Sequence, residues 1–553
     1  MSSILTLLCW AAPQMHAQGI TTGTIIGVVA DPQGAVIPNA RVTATNTATG
    51  VVLHTASLAG GDFAFRAVPI GTYKVQIEAS GFSEATVNNV VVNSGVTADL
   101  KNIGMTIGST QVVQVSGSGL ELMSPTDSQV TTTFSTQSME TLPLNNGFDT
   151  ITEVIPGVAS THMDNFSNTN GDNYSVNGQS GRNNNMELDG QNNNDNSIGG
   201  PQIFFGNQDA ISQIQVITND YSAQYGRNAG AVENYITKAG TNQFHGTATE
   251  EYQGQALSSM TNGDKQPLFG YCAPGQSVSS GCSAPVLPRF VENRFDGTIG
   301  GPVLKNRLFF FGSTYWDRLY PGVSPSFSAP FLTPTPTGIS ELEAAFPNNP
   351  AVGMLEAAGP YAVPTGNPTP VGTTTETVTG PNGTSVPIQF GGVTRTISTP
   401  FTDKENMGRL DWQPDSNDHL FLRYFQQAET SYGVATDSVA AGDWVNVPDN
   451  NYSAGADWTH TFSPHWLDQL RYSFQEEKVY FEGGSFANCT ATGLTNCPTS
   501  INFTGTNLDL PFGLDPGMPQ GRTVKETQIQ DNATWTRGNH TVLFGGEYDY
   551  QNS

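Results

Sequence analysis

The sequence predicts a mainly β protein with three successive regions. These are an N-terminal β-sandwich, an α+β middle region and the first strands of a large transmembrane antiparallel β-barrel. Between residues 20 and 107, turn signals separate short strand signals at intervals of about ten residues, which is typical of a sandwich. From about residue 244 onward, alternating strands form pairs with short turns, and long connections separate the pairs. Only 13% of the residues are charged, while glycine occurs 60 times, a composition that suits strands joined by polar loops.

Length and charge restrict the function. The 553 residues are too many for one ordinary domain, so we expect several. There are 22 Lys+Arg against 48 Asp+Glu, a net charge of −26. This balance argues against nucleic-acid binding, which needs clustered cations. After the N-terminus no apolar run is long enough for a transmembrane helix, so a membrane role would require a β-barrel.

The N-terminus is typical of an export signal. An apolar run covers residues 4–12, and cleavage is expected after Ala17. The basic n-region is missing and Met15 is unusual at its position before the cleavage site. Two explanations for these departures are that the start codon is misplaced, or that the segment is a buried N-terminal strand instead of a signal. Residues 1–17 are predicted to be a signal peptide with a truncated n-region.

The sandwich is predicted for residues 18–108. In one of its strands Tyr73, Val75 and Ile77 alternate with polar residues, which predicts one buried face. Residues 27–31, 34–42 and 63–73 resemble the carboxypeptidase regulatory-like domain. This domain is similar to starch-binding sandwiches, so sugar binding is a hypothesis from the fold alone, beside a purely structural extension.

No enzymatic motif accompanies this resemblance. The sequence contains neither H-E-x-x-H nor H-x-x-E, and it lacks both G-x-S-x-G and a Gly-Lys dipeptide. A zinc peptidase, a serine-hydrolase elbow and a P-loop are therefore unsupported. We expect no enzyme activity, no cofactor, and no catalytic or metal-binding residue.

A short extended segment lies in the predicted linker, residues 109–120. It is Gln111, Val112, Val113, Gln114 and Val115. In outer-membrane transporters a similar strand, the TonB box, is captured by an inner-membrane energy-coupling protein through β-strand addition. The alternative is that this segment is simply the last strand of the sandwich, and the sequence leaves both interpretations open.

The middle region, residues 121–243, resembles the plug of TonB-dependent outer-membrane receptors, in the Oar-like branch where a regulatory-like sandwich precedes the plug. The resemblance is carried by residues 142–158, 174–179, 182–193, 221–230 and 234–246. Within it, residues 192–196 read Asn-Asn-Asn-Asp-Asn. The calcium-loop pattern of an EF-hand is absent, so we expect an exposed polar loop there.

Residues 244–553 are predicted to form part of an outer-membrane barrel. In the clearest pair Leu410 and Trp412 alternate with Arg409 and Asp411 before a short turn. The returning strand begins apolar on both faces, which departs from a simple alternation. The long connections, about residues 317–403, 428–451 and 478–526, are expected on the outer side.

The cysteines fit this orientation. Cys272 and Cys282 form one close pair, and Cys489 and Cys497 form another, both in proposed outer loops. Neither pair has zinc-ligand spacing. Both pairs are therefore predicted to be disulfides in an oxidising compartment.

The strand count predicts a fragment. We count about nine strand candidates, whereas the barrel that this resemblance implies has about twenty-two strands. The chain is therefore expected to be truncated at its C-terminus.

The resemblance implies a TonB-dependent transporter in the outer membrane of a Gram-negative bacterium, with the sandwich in the periplasm. It would import a large or scarce solute through a plugged barrel. The implied partners are outer-membrane lipid, a TonB-like energy-coupling protein and an unidentified extracellular ligand such as a siderophore, oligosaccharide or peptide. The alternative is a surface adhesion or carbohydrate-binding protein that does not transport. A secreted carbohydrate-active enzyme lacks an identifiable carboxylate pair.

Overall fold

The computed structural model describes most of the chain from residue 21 to residue 553. The described residues are 21–108, 113–116, 129–142, 148–160, 174–197, 200–203, 205–226, 228–259, 287, 289–320, 323–324, 331–356, 373–393, 397–398, 400–432, 446–463, 465–482, 500–501, 512–513, 519–537 and 540–553. The predicted signal peptide and all the cysteines lie outside them.

The first region, here called the sandwich, consists of two β-sheets. Its strands are β1 (Thr22–Ala30), β2 (Arg41–Asn46), β3 (Val52–Ala56), β4 (Asp62–Pro69), β5 (Gly71–Glu78), β6 (Ala85–Val92), β7 (Thr97–Gly104) and β8 (Val113–Ser116). One sheet has the order β4-β1-β7 and the other β3-β2-β5-β6-β8. Tyr73, Val75 and Ile77 are all buried in the core between the sheets, which confirms the predicted buried face.

The second region, here called the plug, is built around a five-stranded sheet. Its elements are β9 (Val130–Ser135), α1 (Thr136–Thr141), β10 (Val158–Ser160), β11 (Tyr174–Val176), β12 (Asn185–Leu188), β13 (Gln191–Asn192), β14 (Ile211–Asn219) and β15 (Val232–Thr237), with 3-10 turns at Phe148–Val154, Gly181–Asn183, Gln208–Ala210 and Ala223–Tyr225. The sheet order is β13-β12-β15-β14-β9, so β9 is an edge strand. Ser135 caps the N-terminus of helix α1, because its side chain accepts a hydrogen bond from the N–H of Ser138 and so satisfies one free donor of the first turn.

The remaining elements form the third region. They are β16 (His245–Gly254), β17 (Val291–Leu304), β18 (Leu308–Tyr320), β19 (Val323–Ser324), β20 (Phe331–Pro334), α2 (Pro336–Ala345), α3 (Pro350–Glu356), β21 (Thr373–Thr379), β22 (Ser385–Val393), β23 (Ile397–Ser398), β24 (Phe401–Trp412), β25 (Asp418–Tyr432), β26 (Asn446–Ser463), β27 (Trp466–Phe481), β28 (Ser500–Ile501), β29 (Phe512–Gly513), β30 (Gln520–Arg537) and β31 (His540–Asn552), with 3-10 turns at Gln255–Leu257 and Pro381–Gly383.

Nine of these strands form one antiparallel sheet, here called the barrel sheet. Its order is β16-β17-β18-β24-β25-β26-β27-β30-β31. Neighbouring strands pair over most of their length. For example, β26 and β27 are paired from Asp449 with Val479 at one end to Ser463 with Trp466 at the other. The predicted hairpins and the nine strands are confirmed.

The long connection between β18 and β24 contains structure of its own. Strands β20, β22 and β21 form a three-stranded sheet, against which α2 packs. Ile339, Leu342, Ile388 and Phe390 are buried there. The sequence predicted only a long loop for this segment.

The helices are all short. Within the described ranges, none has the length and apolarity needed to cross a membrane.

Candidate functional site: the contact between plug and barrel sheet

The barrel sheet has one apolar exposed face and one polar covered face. On β25, Leu422 and Tyr424 are 57% and 49% exposed, whereas Arg423 and Phe425 are 3% and 1% exposed. This contrast follows from the strand geometry, because successive side chains point to opposite faces. An apolar outer face and a polar inner face are the signature of a membrane-spanning barrel.

The plug lies against the inner face. Phe425 packs on Phe205 of the plug, with ring centroids 4.7 Å apart, and Phe311 and Met407 of the barrel sheet belong to the plug's hydrophobic core. This contact accounts for the apolar, inner-facing Phe425. At the start of β25 the inner-facing Phe421 instead packs on the guanidinium of Arg409, 4.2 Å from its ring centroid.

A tight turn in the plug brings a carboxylate to the inner face. The turn joins β12 to β13 at Asp189 and Gly190, both in the left-handed region at φ 52° and 71°. Asp and Gly tolerate this conformation better than most residues. The Asp189 carboxylate is fully buried.

Asp189 binds two arginines of the barrel sheet. Its Oδ2 lies 2.5 Å from Nη1 of Arg423, and its Oδ1 lies 3.3 Å from Nη1 of Arg409. Thr237, at the end of β15, donates its N–H to Oδ1 and its hydroxyl to Oδ2, each at 2.9 Å. The carboxylate therefore has a partner on each oxygen from both the plug and the barrel sheet.

These contacts hold Asp189 in its charged form. Burial acts to raise the pKa of Asp189, but the charges of Arg409 and Arg423 and the N–H of Thr237 outweigh it, so the pKa lies below its ordinary value. A buried ion pair is costly to break, because removing one partner leaves the other charge buried and uncompensated.

The asparagine-rich segment after this turn is buried from Asn192 to Asp195, so the expectation of an exposed polar loop was wrong there, and only Asn196 at its end is exposed. Asn193 is 0% exposed and Asp195 is 1% exposed. Asp195 pairs with Arg522 of β30 at 2.6 Å, and the N–H of Asn192 donates to Gln528 at 3.1 Å. Buried polar groups need hydrogen-bond partners, and the barrel wall supplies them here.

Further contacts between this part of the plug and the barrel sheet lie on β26 and β27. Gln191 donates from Nε2 to the carbonyl oxygens of Ala456 and Tyr472, at 3.1 and 3.0 Å. Arg471 donates to the Gly190 carbonyl at 3.3 Å and is held by Asp457 at 2.9 Å. We call the contacts of residues 188–197 with the barrel sheet the polar seam.

A second anchor lies at residues 205–207 of the plug. Glu405 of β24 accepts hydrogen bonds from the backbone N–H groups of Gly206 and Asn207. Asn207 also donates from Nδ2 to the carbonyl of Thr314, at 3.3 Å. The plug is therefore fixed to the barrel sheet at two separate places.

The predicted TonB-box segment is partly described. Gln111 and Val112 lie outside the described residues, while Val113–Ser116 forms β8, paired in parallel with β6 from Ala85 to Asn88. This is the position of an edge strand of the sandwich. Its identity as a TonB box stays a prediction.

The two predicted disulfides also stay predictions. Cys272 and Cys282 fall between β16 and β17, and Cys489 and Cys497 fall between β27 and β30. All four residues lie outside the described residues. Their pairing, Cys272 with Cys282 and Cys489 with Cys497, therefore rests on the sequence alone.

The sequence interpretation missed the inner arginines. The alternation predicts that Arg409 lies on the face opposite Leu410, and the same rule applies to Arg423 beside Leu422, but it assigns no role to either arginine. The available signal was a full charge in the middle of a strand that otherwise suits a membrane.

Over the residues that the structure describes, no cluster of three or more His, Cys, Asp or Glu side chains could hold a metal ion.

Comparison with protein families agrees with this architecture. The carboxypeptidase regulatory-like domain family matches residues 24–106, and the TonB-dependent receptor plug domain family matches residues 125–232. The outer membrane beta barrel domain family matches residues 236–553, more than half of the chain.

Individual relatives are more distant. The TonB-dependent transporter Oar of Myxococcus xanthus is 26% identical over 186 residues, which are 33% of this chain and 14% of Oar. Among solved structures, the siderophore receptor PirA of Acinetobacter baumannii is 14% identical with a TM-score of 0.43, over 76% of this chain and 47% of PirA. The outer membrane transporter YddB of Escherichia coli is 13% identical with a TM-score of 0.48, over 76% and 48%.

The chain thus spans about half the length of these solved structures. The family matches place the barrel sheet in the outer membrane of a Gram-negative bacterium and the plug and sandwich on its periplasmic side. This chain belongs to the outer membrane β-barrel family, in the arrangement of the TonB-dependent receptors, with a carboxypeptidase regulatory-like domain ahead of the plug.

Proposed function

We propose that this chain is part of a TonB-dependent transporter that imports a large or scarce solute through the barrel, without catalysing a reaction. The observation that carries the proposal is the polar seam. A plug held inside a barrel wall by ion pairs and hydrogen bonds blocks passage, yet these contacts can be replaced by water when the plug moves.

The chemistry of the seam supports a movable plug. A buried ion pair such as Asp189 with Arg423 is often no more stabilising than well-packed apolar residues of the same volume. If the contact never opened, these charges would therefore give it no extra stability. If the contact opens, the charges lower the free energy of the separated state, because water solvates separated charges but not separated apolar surfaces.

The topology offers a route by which force could reach the plug. Strand β8 precedes the plug in the chain, and the first plug strand, β9, is the edge strand of the plug sheet and pairs only with β14 within it. A pulling force on β8 would therefore be transmitted along the chain to the N-terminal end of β9. An edge strand leaves a sheet more easily than a central one, since it breaks one ladder of hydrogen bonds instead of two.

The partner in this proposal is a TonB-like protein that adds a strand to residues 111–116. A short extended segment with a free edge suits β-strand addition. Energy would come from the inner-membrane proton gradient through this partner. The ligand would dock on the outer loops, and its class, whether siderophore, oligosaccharide or peptide, is open.

Deleting Gln111–Ser116 tests the proposal. Uptake from a panel of radiolabelled ferric siderophores, oligosaccharides and peptides should be lost, as should formaldehyde cross-linking to the TonB-like protein, while outer-membrane insertion stays normal. Replacing the same six residues with a Gly/Ser segment of equal length controls for linker length and should behave like the deletion.

Undiminished uptake in either variant would refute the assignment. Binding of a panel member that is unaffected by a protonophore and leads to no uptake would support the adhesion alternative instead.

A further inference from the structure

The sandwich touches the plug through one turn. Asn93 and Ser94, which follow β6 directly, meet two glutamines of β14. The N–H of Ser94 donates to Oε1 of Gln213 at 3.1 Å, and Nε2 of Gln213 donates to Asn93 at 2.8 Å. Nε2 of Gln215 donates to the carbonyl of Ser94 at 2.9 Å. Ser94 and Gln215 are almost fully buried by this contact, at 0% and 2% exposed.

A second turn of the sandwich touches the start of the barrel sheet. The N–H of Asn242 donates to the carbonyl of Ala48 at 3.0 Å, and its side-chain amide donates to the carbonyl of Thr49. The same Asn242 accepts from the N–H of Asn306, in the periplasmic turn between β17 and β18, at 2.8 Å. The two turns lie in different parts of the sandwich, so together they fix its orientation.

Between these two contacts the sandwich covers a cavity of about 350 Å³. Asn46 and Tyr73 of the sandwich line it, as do Thr237 and Lys238 at the end of the plug sheet. Asp189 and Arg409 are also among the lining residues. The sandwich therefore forms part of the wall of the cavity that Asp189 and Arg409 also line.

The contact is of a kind that can come apart. The five hydrogen bonds described above that the sandwich itself makes involve amide and backbone groups and no ion pair, and each such bond contributes about 1 kcal/mol net. The docking turn is also the direct continuation of β6, the strand that pairs with β8. Removing β8 from the edge of β6 would thus disturb the element that carries the turn.

We propose that the sandwich is a detachable periplasmic cap. In the resting protein it docks on Gln213, Gln215 and Asn242, keeps the cavity and the Asp189 ion pair away from the periplasm, and it leaves before the plug moves. This inference rests on the proposed function in one respect, namely that the plug has to move during transport. Docking is measured without any transported ligand, so the two proposals can fail separately.

The test uses a cysteine in the cavity wall, Ser212→Cys, in isolated outer membranes. Its labelling by a maleimide-linked polyethylene glycol, which is too bulky to enter the cavity of about 350 Å³, is followed with time. Adding Gln213→Ala and Gln215→Ala should speed labelling about tenfold to a hundredfold, because two side chains that make the docking bonds are gone. Gln253→Ala, at an exposed glutamine of β16, is the matched control and should change nothing. The protein without Ser212→Cys gives the background from its own cysteines.

A cross-link keeps the proposal testable if the double variant is poorly assembled. Because the Gln215 side chain spans this contact, Ser94→Cys with Gln215→Cys should be joined in resting membranes by a bis-methanethiosulfonate about as long as that side chain, seen as a change in gel mobility that reductant reverses, whereas Ser94→Cys with Gln253→Cys should not be joined. Equal labelling rates with and without the two glutamines, or no cross-link between positions 94 and 215, would overturn the cap.

Discussion

The carboxylate of Asp189 in the plug lies 2.5 Å from the guanidinium of Arg423 in the barrel sheet, across 234 residues of sequence. Both side chains are almost fully buried, at 0% and 1% exposed. Arg409 approaches the other oxygen of the same carboxylate. One plug side chain therefore neutralises part of the charge that two barrel strands carry into the interior, and the plug and the barrel sheet stabilise each other.

Replacing Asp189 with Asn should loosen the plug. The substitution removes the negative charge and leaves Arg423 without its ion-pair partner, which costs about 3–5 kcal/mol for a buried pair, whereas Arg409 keeps its ion pair with Asp411 at 2.8 Å. The measurement is the urea midpoint at which a cysteine introduced at the buried plug residue Ala210 becomes reactive in isolated outer membranes. Asp189→Asn should lower this midpoint clearly.

The control for this variant is Asp220→Asn. Asp220 follows β14, is exposed, and has a left-handed backbone at φ 53° that Asn also accepts. Its midpoint should match that of the unmodified protein. A similar loss in both variants would show that the effect of Asp189→Asn does not come from the ion pairs.

The stability of the plug should fall as pH rises through neutrality, because of Glu187. Burial raises its pKa to about 7, Arg471 opposes this and Glu547 adds to it. Its Oε2 has no hydrogen-bond partner among the described residues. A carboxyl group whose pKa is higher in the folded state stabilises that state below its unfolded pKa, and this contribution is lost as pH passes the folded pKa.

The urea midpoint for plug release should therefore be higher at about pH 5 than at about pH 8, and Glu187→Gln should make this difference smaller. Asp189 does not interfere in this window, since its lowered pKa keeps it charged throughout. If Glu187→Gln retains the full pH dependence, another group is responsible.

The alternation of the strands made the barrel sheet predictable from sequence. Each strand carries its own pattern, and a period of two places Leu422 outward and Arg423 inward without any knowledge of the neighbours. The plug–barrel seam was not predictable in the same way. Asp189 meets Arg423 only because the fold brings distant segments together, and no local pattern encodes that pairing.

The asparagine-rich segment shows why the local rule failed. Polar residues in a Gly- and Asn-rich run usually indicate exposure, and this would hold for the plug alone. The barrel sheet covers Asn193 and Asp195 and offers Arg522 and Gln528 as partners. Burial in this segment is a property of the assembled domains and not of the loop.

Gly240→Ala should impair assembly, because this glycine lies where the plug chain passes into the barrel sheet. A Cβ there would come within 2.9 Å of the carbonyl oxygen of Gly301 and closer still to that of Phe310. Both are backbone atoms of paired strands and cannot rotate away. We expect a cost of about 1–3 kcal/mol and less folded protein in the outer membrane, measured by heat-modifiable mobility in gels. Gly408→Ala is the control, since a Cβ at Gly408 meets no atom within 4 Å.

Neighbouring residues of β25 should respond in opposite ways to a change of polarity. Leu422 is exposed on the lipid face, so Leu422→Arg should cost up to about 2–4 kcal/mol and reduce insertion into the outer membrane, less so if the site lies near an interface. Arg423→Leu should insert, because the inner face meets the plug and not lipid, but it should lower the urea midpoint for plug release. Leu422→Phe controls for side-chain size and should leave both measurements unchanged. If Leu422→Arg inserts normally while Arg423→Leu does not, the two faces of the sheet have been assigned the wrong way round.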